Sequence, residues 1–96
     1  MKILAIEKEL QPVDWKNETN TLIEEAKSVY KLMLSDFLRE IYFTENKNAV
    51  LILECESKKI AEQILQKLPL IQKQIIGFEL MELNPYTGLS RLMNEE

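Results

Sequence analysis

The stretch Ala49-Val50-Leu51-Ile52-Leu53-Glu54-Cys55-Glu56 is apolar at odd and even positions alike until it reaches Glu54. A half-buried strand alternates apolar with polar residues, whereas a strand covered on both faces reads as a continuous apolar run. Residues 49–56 are too short for a typical helix and rich in β-branched and aliphatic side chains, so they predict a strand with both faces hidden. Lys2 to Lys8 has the same character, with Ile3-Leu4-Ala5-Ile6 at its centre.

Upstream of residue 49, Glu45-Asn46-Lys47-Asn48 is a polar turn of hairpin length. Phe37 to Thr44 before it reads as a second strand, aromatic and β-branched, with Arg39 and Glu40 in its middle. These two strands therefore pair antiparallel. Downstream, Ser57 is a good N-cap for a helix whose inward face is Ile60, Ala61, Ile64, Leu65 and Leu68. Pro69 ends that helix because proline cannot donate the next bond, and Leu70 to Gln74 is a short connection. Ile75 to Leu83 is the last strand, with Ile76, Phe78 and Leu80 on one parity, and Asn84-Pro85 stops it.

Between the first two strands, Glu9 to Asn20 is polar and irregular, with Pro12 and the lone Trp15. It leads into a helix whose start lies between Asp14 and Thr21. Thr21 and Glu24 have capping-box spacing. Leu22, Ala26, Val29, Tyr30 and Met33 form an apolar stripe at helical spacing, and the helix ends near Ser35-Asp36. Tyr30 and Phe78 are expected in the core. The tail, Tyr86 to Glu96, keeps Leu89, Leu92 and Met93 and is expected to dock on the body.

The resulting order is βαββαβ in one domain over 1–96, with its core in 2–83 and a tail at 84–96. Right-handed crossovers fold this order into an α+β, ferredoxin-like arrangement: a four-stranded antiparallel sheet with both helices on one face. The other face is then bare. The first and third strands are apolar on that face too, and a soluble monomer rarely keeps such a patch. A second copy laid face to face would cover it; the alternative cover is the chain's own irregular segments.

Composition narrows the chemistry. Apolar residues make up 46% of the 96, with 2 glycines and 3 prolines, which suits a folded chain. A chain of this length buries only about 60–65% of its unfolded surface, so its own core is small. The net charge of −4 without a basic stripe argues against nucleic acid as a partner. No run approaches the roughly 18 apolar residues of a membrane span, and Ile3 to Ile6 is too short for a signal-peptide core. With one cysteine, Cys55, no internal disulfide forms, which suits a cytoplasmic location. There is no histidine, so the usual Ser-His-Asp and Cys-His systems are excluded and no metal site is expected. Gly77 and Gly88 build no phosphate loop, and no cofactor is expected.

Several short motifs resemble the muconolactone isomerase family. Ile3-Leu4-Ala5-Ile6-Glu7 is similar to its opening strand and Leu38-Arg39-Glu40-Ile41 to its second. Leu51-Ile52-Leu53-Glu54-Cys55-Glu56-Ser57 resembles the third strand and helix cap, and Leu68-Pro69-Leu70 the break before the last strand. The similarity runs from Lys2 to Pro85. It implies a dimeric α+β barrel, in which two ferredoxin-like sheets close on each other, and a larger ring of dimers. It implies a cofactor-free isomerase that shifts a double bond in a small unsaturated lactone carrying a carboxylate.

On that resemblance, Glu7 and Arg39 are the candidate catalytic residues. Moving a proton next to a carbonyl needs a base of tuned pKa, and desolvation at the end of an apolar strand raises a carboxylate's pKa. A guanidinium binds a substrate carboxylate bidentately. Tyr42, Glu54 and Glu79 are candidates for lining the same cavity. Plainer readings stand beside these: Glu7 as a solvated strand end, Arg39 paired with a glutamate across the sheet, and Glu54 and Glu56 serving the helix dipole. The family's enzymes commonly carry a histidine after the last strand, where this chain has Asn84-Pro85-Tyr86-Thr87-Gly88. That departure leaves open a non-catalytic binding or interaction module of the same fold. A heme- and flavin-free monooxygenase of this barrel class is a third option.

Overall fold

The structure is a computed structural model and describes residues 1–93. Four strands, β1 (Lys2–Glu9), β2 (Leu38–Phe43), β3 (Ala49–Glu54) and β4 (Ile76–Leu83), form one antiparallel sheet in the order β2-β3-β1-β4. The long helix α1 (Thr19–Leu34) joins β1 to β2, and α2 (Lys58–Leu65) begins the return from β3 to β4. This is the α+β, ferredoxin-like arrangement that the element order implies. The sheet of one chain is open, with β2 and β4 at its edges.

The central strands bury one parity over Ile3, Ala5, Ala49, Leu51 and Leu53. Ile3, Ala5, Leu51 and Leu53 face the helices and pack with Leu38, Ala61, Leu65 and Leu68. Val29 and Leu32 of α1 close over this cluster. Each such leucine or isoleucine contributes about 1.5–3 kcal/mol relative to staying in water. The opposite parity carries Leu4, Ile6, Val50, Ile52, Met81 and Leu83, brought side by side by the pairing of β1 with β3 and β4. None of these six is fully buried in a single chain. The apolar second face expected from the sequence is therefore present, and neither helix covers it.

Local details follow from side chains near each element end. Asp14 accepts a bond from the Lys16 N–H and starts a single 3-10 turn, Trp15–Glu18, that runs directly into α1. The helical region thus opens at the early end of the expected range. Thr21 does not form a capping box with Glu24; its hydroxyl donates to Glu18 at 2.8 Å. The Ser57 hydroxyl caps α2 as expected, accepting from the Ile60 N–H at 3.1 Å. The β2–β3 turn closes through Lys47 N–H to Thr44 carbonyl, with Lys47 in the left-handed region at φ 62°.

Three expectations are corrected. Proline 69 does not merely end a helix: α2 stops at Leu65, and Pro69 opens a separate one-turn helix, α3 (Pro69–Gln72), where its missing N–H costs nothing. The inward side of α1 is Thr21, Glu25, Ser28, Val29 and Leu32, not the stripe through Leu22, Ala26, Tyr30 and Met33. Of the expected stripe only Val29 packs on the core, and Tyr30 is 61% exposed. The helix is turned so that Val29 and Leu32 meet the sheet while Glu25 reaches Leu70. The tail does not dock on its own chain: α4 (Ser90–Met93) is exposed, with Leu92 at 66% and Met93 at 82%. Residues 94–96 of that tail lie outside the described part.

Candidate functional site

Glu7 lies on the helix-facing parity of β1, two residues beyond Ala5 and opposite Phe78 of β4. The alternation that buries Ile3 and Ala5 therefore brings a carboxylate to the space between sheet and helices. Its Oε1 accepts from the Ala49 N–H at 3.2 Å, the first amide of β3. Burial pushes the Glu7 carboxyl above the usual carboxylate range, the Ala49 bond pulls it back, and the nearby Glu9 charge raises it further.

A second carboxylate faces the same space. Glu25 sits on α1 one turn before Val29 and two turns before Leu32, so it is carried to the sheet side by the residues that pack the core. Its Oε1 accepts from the Leu70 N–H at 3.0 Å. Burial raises its pKa first; the Leu70 bond opposes this, and the negative charge of Glu7 adds to it. Glu7 and Glu25 therefore interact across the sheet–helix interface, each more readily protonated than a free glutamate. The sequence pattern held one sign of Glu25, a carboxylate at helical spacing from Val29 and Leu32, but the stripe through Leu22 and Met33 masked it.

Arg39 stands elsewhere. It is the extra residue at an irregularity between Leu38 and Glu40, and its Nε donates to the Asp36 carbonyl at 2.8 Å. Leu38 pairs with Leu53, which pairs with Ile3, four residues along β1 from Glu7. That is about 13 Å along the strand direction alone. One chain does not bring Glu7 and Arg39 together.

Tyr42, Glu54 and Glu79 occupy the open face, so the sheet separates them from Glu7. The Tyr42 hydroxyl donates to Glu40 at 2.6 Å, and that hydrogen bond, together with the Glu40 charge, raises the phenol's pKa. Glu54 pairs with the amino group of Met1 at 3.3 Å, and Glu79 with Lys8 at 3.1 Å. Cys55 is buried, with its Sγ 3.4 Å from the Ser57 carbonyl. Trp15 opens the 3-10 turn and remains partly exposed.

Two shallow concavities lie away from the two glutamates. A groove of about 370 Å³ runs between α1 and α2, and a smaller one of about 270 Å³ lies beside the 3-10 turn. Among the described residues no group of acidic and cysteine side chains is placed to hold a metal ion, and no helix is long and apolar enough to cross a membrane.

No protein-family model matches the chain, and no curated protein matches it by sequence. Several solved structures share its fold, among them the following two. Muconolactone isomerase superposes with a TM-score of 0.75 at 17% identity, covering 91% of this chain and 92% of that one. A 5-chloro-2-hydroxyhydroquinone dehydrochlorinase from Burkholderia phenoliruptrix, in complex with 2,5-dihydroxybenzoquinone, superposes with a TM-score of 0.65 at 10% identity. It covers 90% of this chain and 97% of that one. At these identities the likeness establishes the fold.

Proposed function

We propose that the chain is a cofactor-free isomerase of a small unsaturated lactone or similar small carboxylate, with Glu7 as the proton carrier. The observation that carries this reading is the half-buried Glu7 carboxylate, held by the Ala49 amide and raised in pKa by its surroundings. A base works best when its pKa approaches the working pH. In this scheme ionised Glu7 takes a proton from a carbon activated by the lactone carbonyl. The double bond shifts, and the same carboxyl returns the proton further along, so one C–H bond breaks, another forms and no redox partner is needed. The two fold neighbours described above are an isomerase and a dehydrochlorinase of small molecules, which is the class of activity this reading gives the chain.

Glu25 acts here as a positioning residue: it holds the Leu70 amide, and its own carboxyl is raised by burial and by the Glu7 charge beside it. A second copy covering the open face completes the proposed assembly, a dimer or a larger homo-oligomer. Tyr42, Glu54 and Glu79 would then face the space between the two sheets. The copy on the open face lies across the sheet from Glu7, so Arg39 binds the substrate carboxylate beside a given Glu7 only if another copy of a larger assembly supplies it on the helix side.

The test is turnover of muconolactone by the wild-type chain and by Glu7→Gln, with folding checked by thermal melting. The reading expects turnover that falls at least about 100-fold in the variant without loss of fold. Equal turnover in the two rejects Glu7 as the proton carrier. No turnover by the wild type supports the second reading, a non-catalytic oligomeric module, which the separation of Glu7 from Arg39 and the absent histidine favour.

A further inference from the structure

We propose that the groove between α1 and α2 receives the C-terminal tail of a second copy of this chain. The groove is about 370 Å³, within the range of about 300–1,000 Å³ that recognition pockets occupy. Its apolar lining comes from Leu32, Ile64 and Leu68, with Phe37 beside them, and Lys31 and Lys67 stand at its rim. This makes a greasy floor between two exposed cations. It lies on the helix side of the molecule, away from the open face of the sheet, so it is a second surface.

The tail is complementary to it. Leu89, Leu92 and Met93 are all largely exposed, and they recur at the spacing of one helical face. Glu95 and Glu96 follow them in the sequence, opposite in sign to the two rim lysines. The tail's own hydrogen bonds are local: Ser90 and Arg91 N–H groups donate to the Thr87 and Gly88 carbonyls.

The chain measures 64 × 27 × 19 Å, while an eight-residue strand such as β1 spans only about 27 Å. None of the described residues after β4 lines the groove, and Leu89, Leu92 and Met93 are exposed, so the segment does not fold back into its own groove. An exposed apolar segment is satisfied by the same groove on another molecule, and repetition of that contact links copies tail to groove.

Disulfide trapping tests this directly. Two full-length variants are made in a Cys55→Ala background, one carrying Lys67→Cys and the other Leu92→Cys, and their fold is confirmed by circular dichroism. Mixed and oxidised, they are expected to yield a covalent pair containing one of each. The yield should fall at least about tenfold when Lys31→Glu is added to the groove partner, through lost charge attraction. A third variant carrying both cysteines should form chains of linked copies. An internal bond in that third variant without links between copies would overturn the proposal by placing the tail in its own groove. No trapped pair, or a yield indifferent to Lys31→Glu, would overturn it as well.

Discussion

The Oε1 atom of Glu25 accepts the backbone N–H of Leu70 at 3.0 Å, so a side chain of α1 caps the one-turn helix α3 from across the interface. The residue in the N-cap position of α3 is Leu68, which has no side-chain acceptor to offer. Glu25 supplies what Leu68 lacks, and it ties α1 to the segment that leads into β4. Glu25→Ala leaves the buried Leu70 amide without a partner and is expected to cost about 1–3 kcal/mol in urea unfolding. Glu25→Gln retains an acceptor oxygen and is expected to stay within about 1 kcal/mol of wild type. Equal losses in the two variants would show that the bond is not what matters.

The raised pKa values of Glu7 and Glu25 fix the sign of a pH effect. Between the unfolded pKa, about 4.3, and the higher folded values, the native state binds more protons than the unfolded chain. The stability these two groups contribute is complete below the unfolded pKa and is lost as pH rises through the folded pKa. Growing negative charge on the whole acidic chain acts in the same direction, so the informative quantity is a difference. The melting temperature of Glu7→Gln/Glu25→Gln is expected to fall less than that of wild type as pH rises from about 4.5 to 7. A parallel pair of curves contradicts it.

Core and surface leucine-sized residues should separate sharply. Leu51, 1% exposed, touches the centre of the main cluster, and Leu51→Ala is expected to cost about 2–5 kcal/mol. Tyr30→Ala, on the outer side of α1, is expected to change monomer stability by no more than about 0.5 kcal/mol. A large loss at Tyr30 at high protein concentration only, measured by concentration-dependent melting, would show that this side of α1 is an interface.

The sheet was readable in advance because strand signals here are strong and local. Apolar runs at residues 3–6 and 50–53, a polar turn at 45–48 and the Asn84-Pro85 stop mark each strand to within a residue or two at most ends. The facing of α1 was not readable, since two adjacent sides of that helix are apolar enough to be buried. Periodicity shows that a stripe exists but not which of two neighbouring stripes meets the sheet. Glu25 was hidden for that reason.

The relation of Glu7 to Arg39 was equally out of reach. It depends on strand register and on the irregularity at residue 39, which only the paired sheet reveals. Parity alone separates Glu7 from Glu79 once β1 and β4 are paired, whereas the sequence offered no way to know which parity faced the helices.

The face formed by Leu4, Ile6, Val50, Ile52, Met81 and Leu83 is uncovered in a single chain, and the proposed assembly covers it with another copy. Light scattering coupled to size exclusion at micromolar concentration measures this most directly. The predicted mass is twice the 11.3 kDa of one chain or a larger multiple, falling to that of a single chain on Ile52→Lys. A wild-type mass of 11.3 kDa would contradict the account.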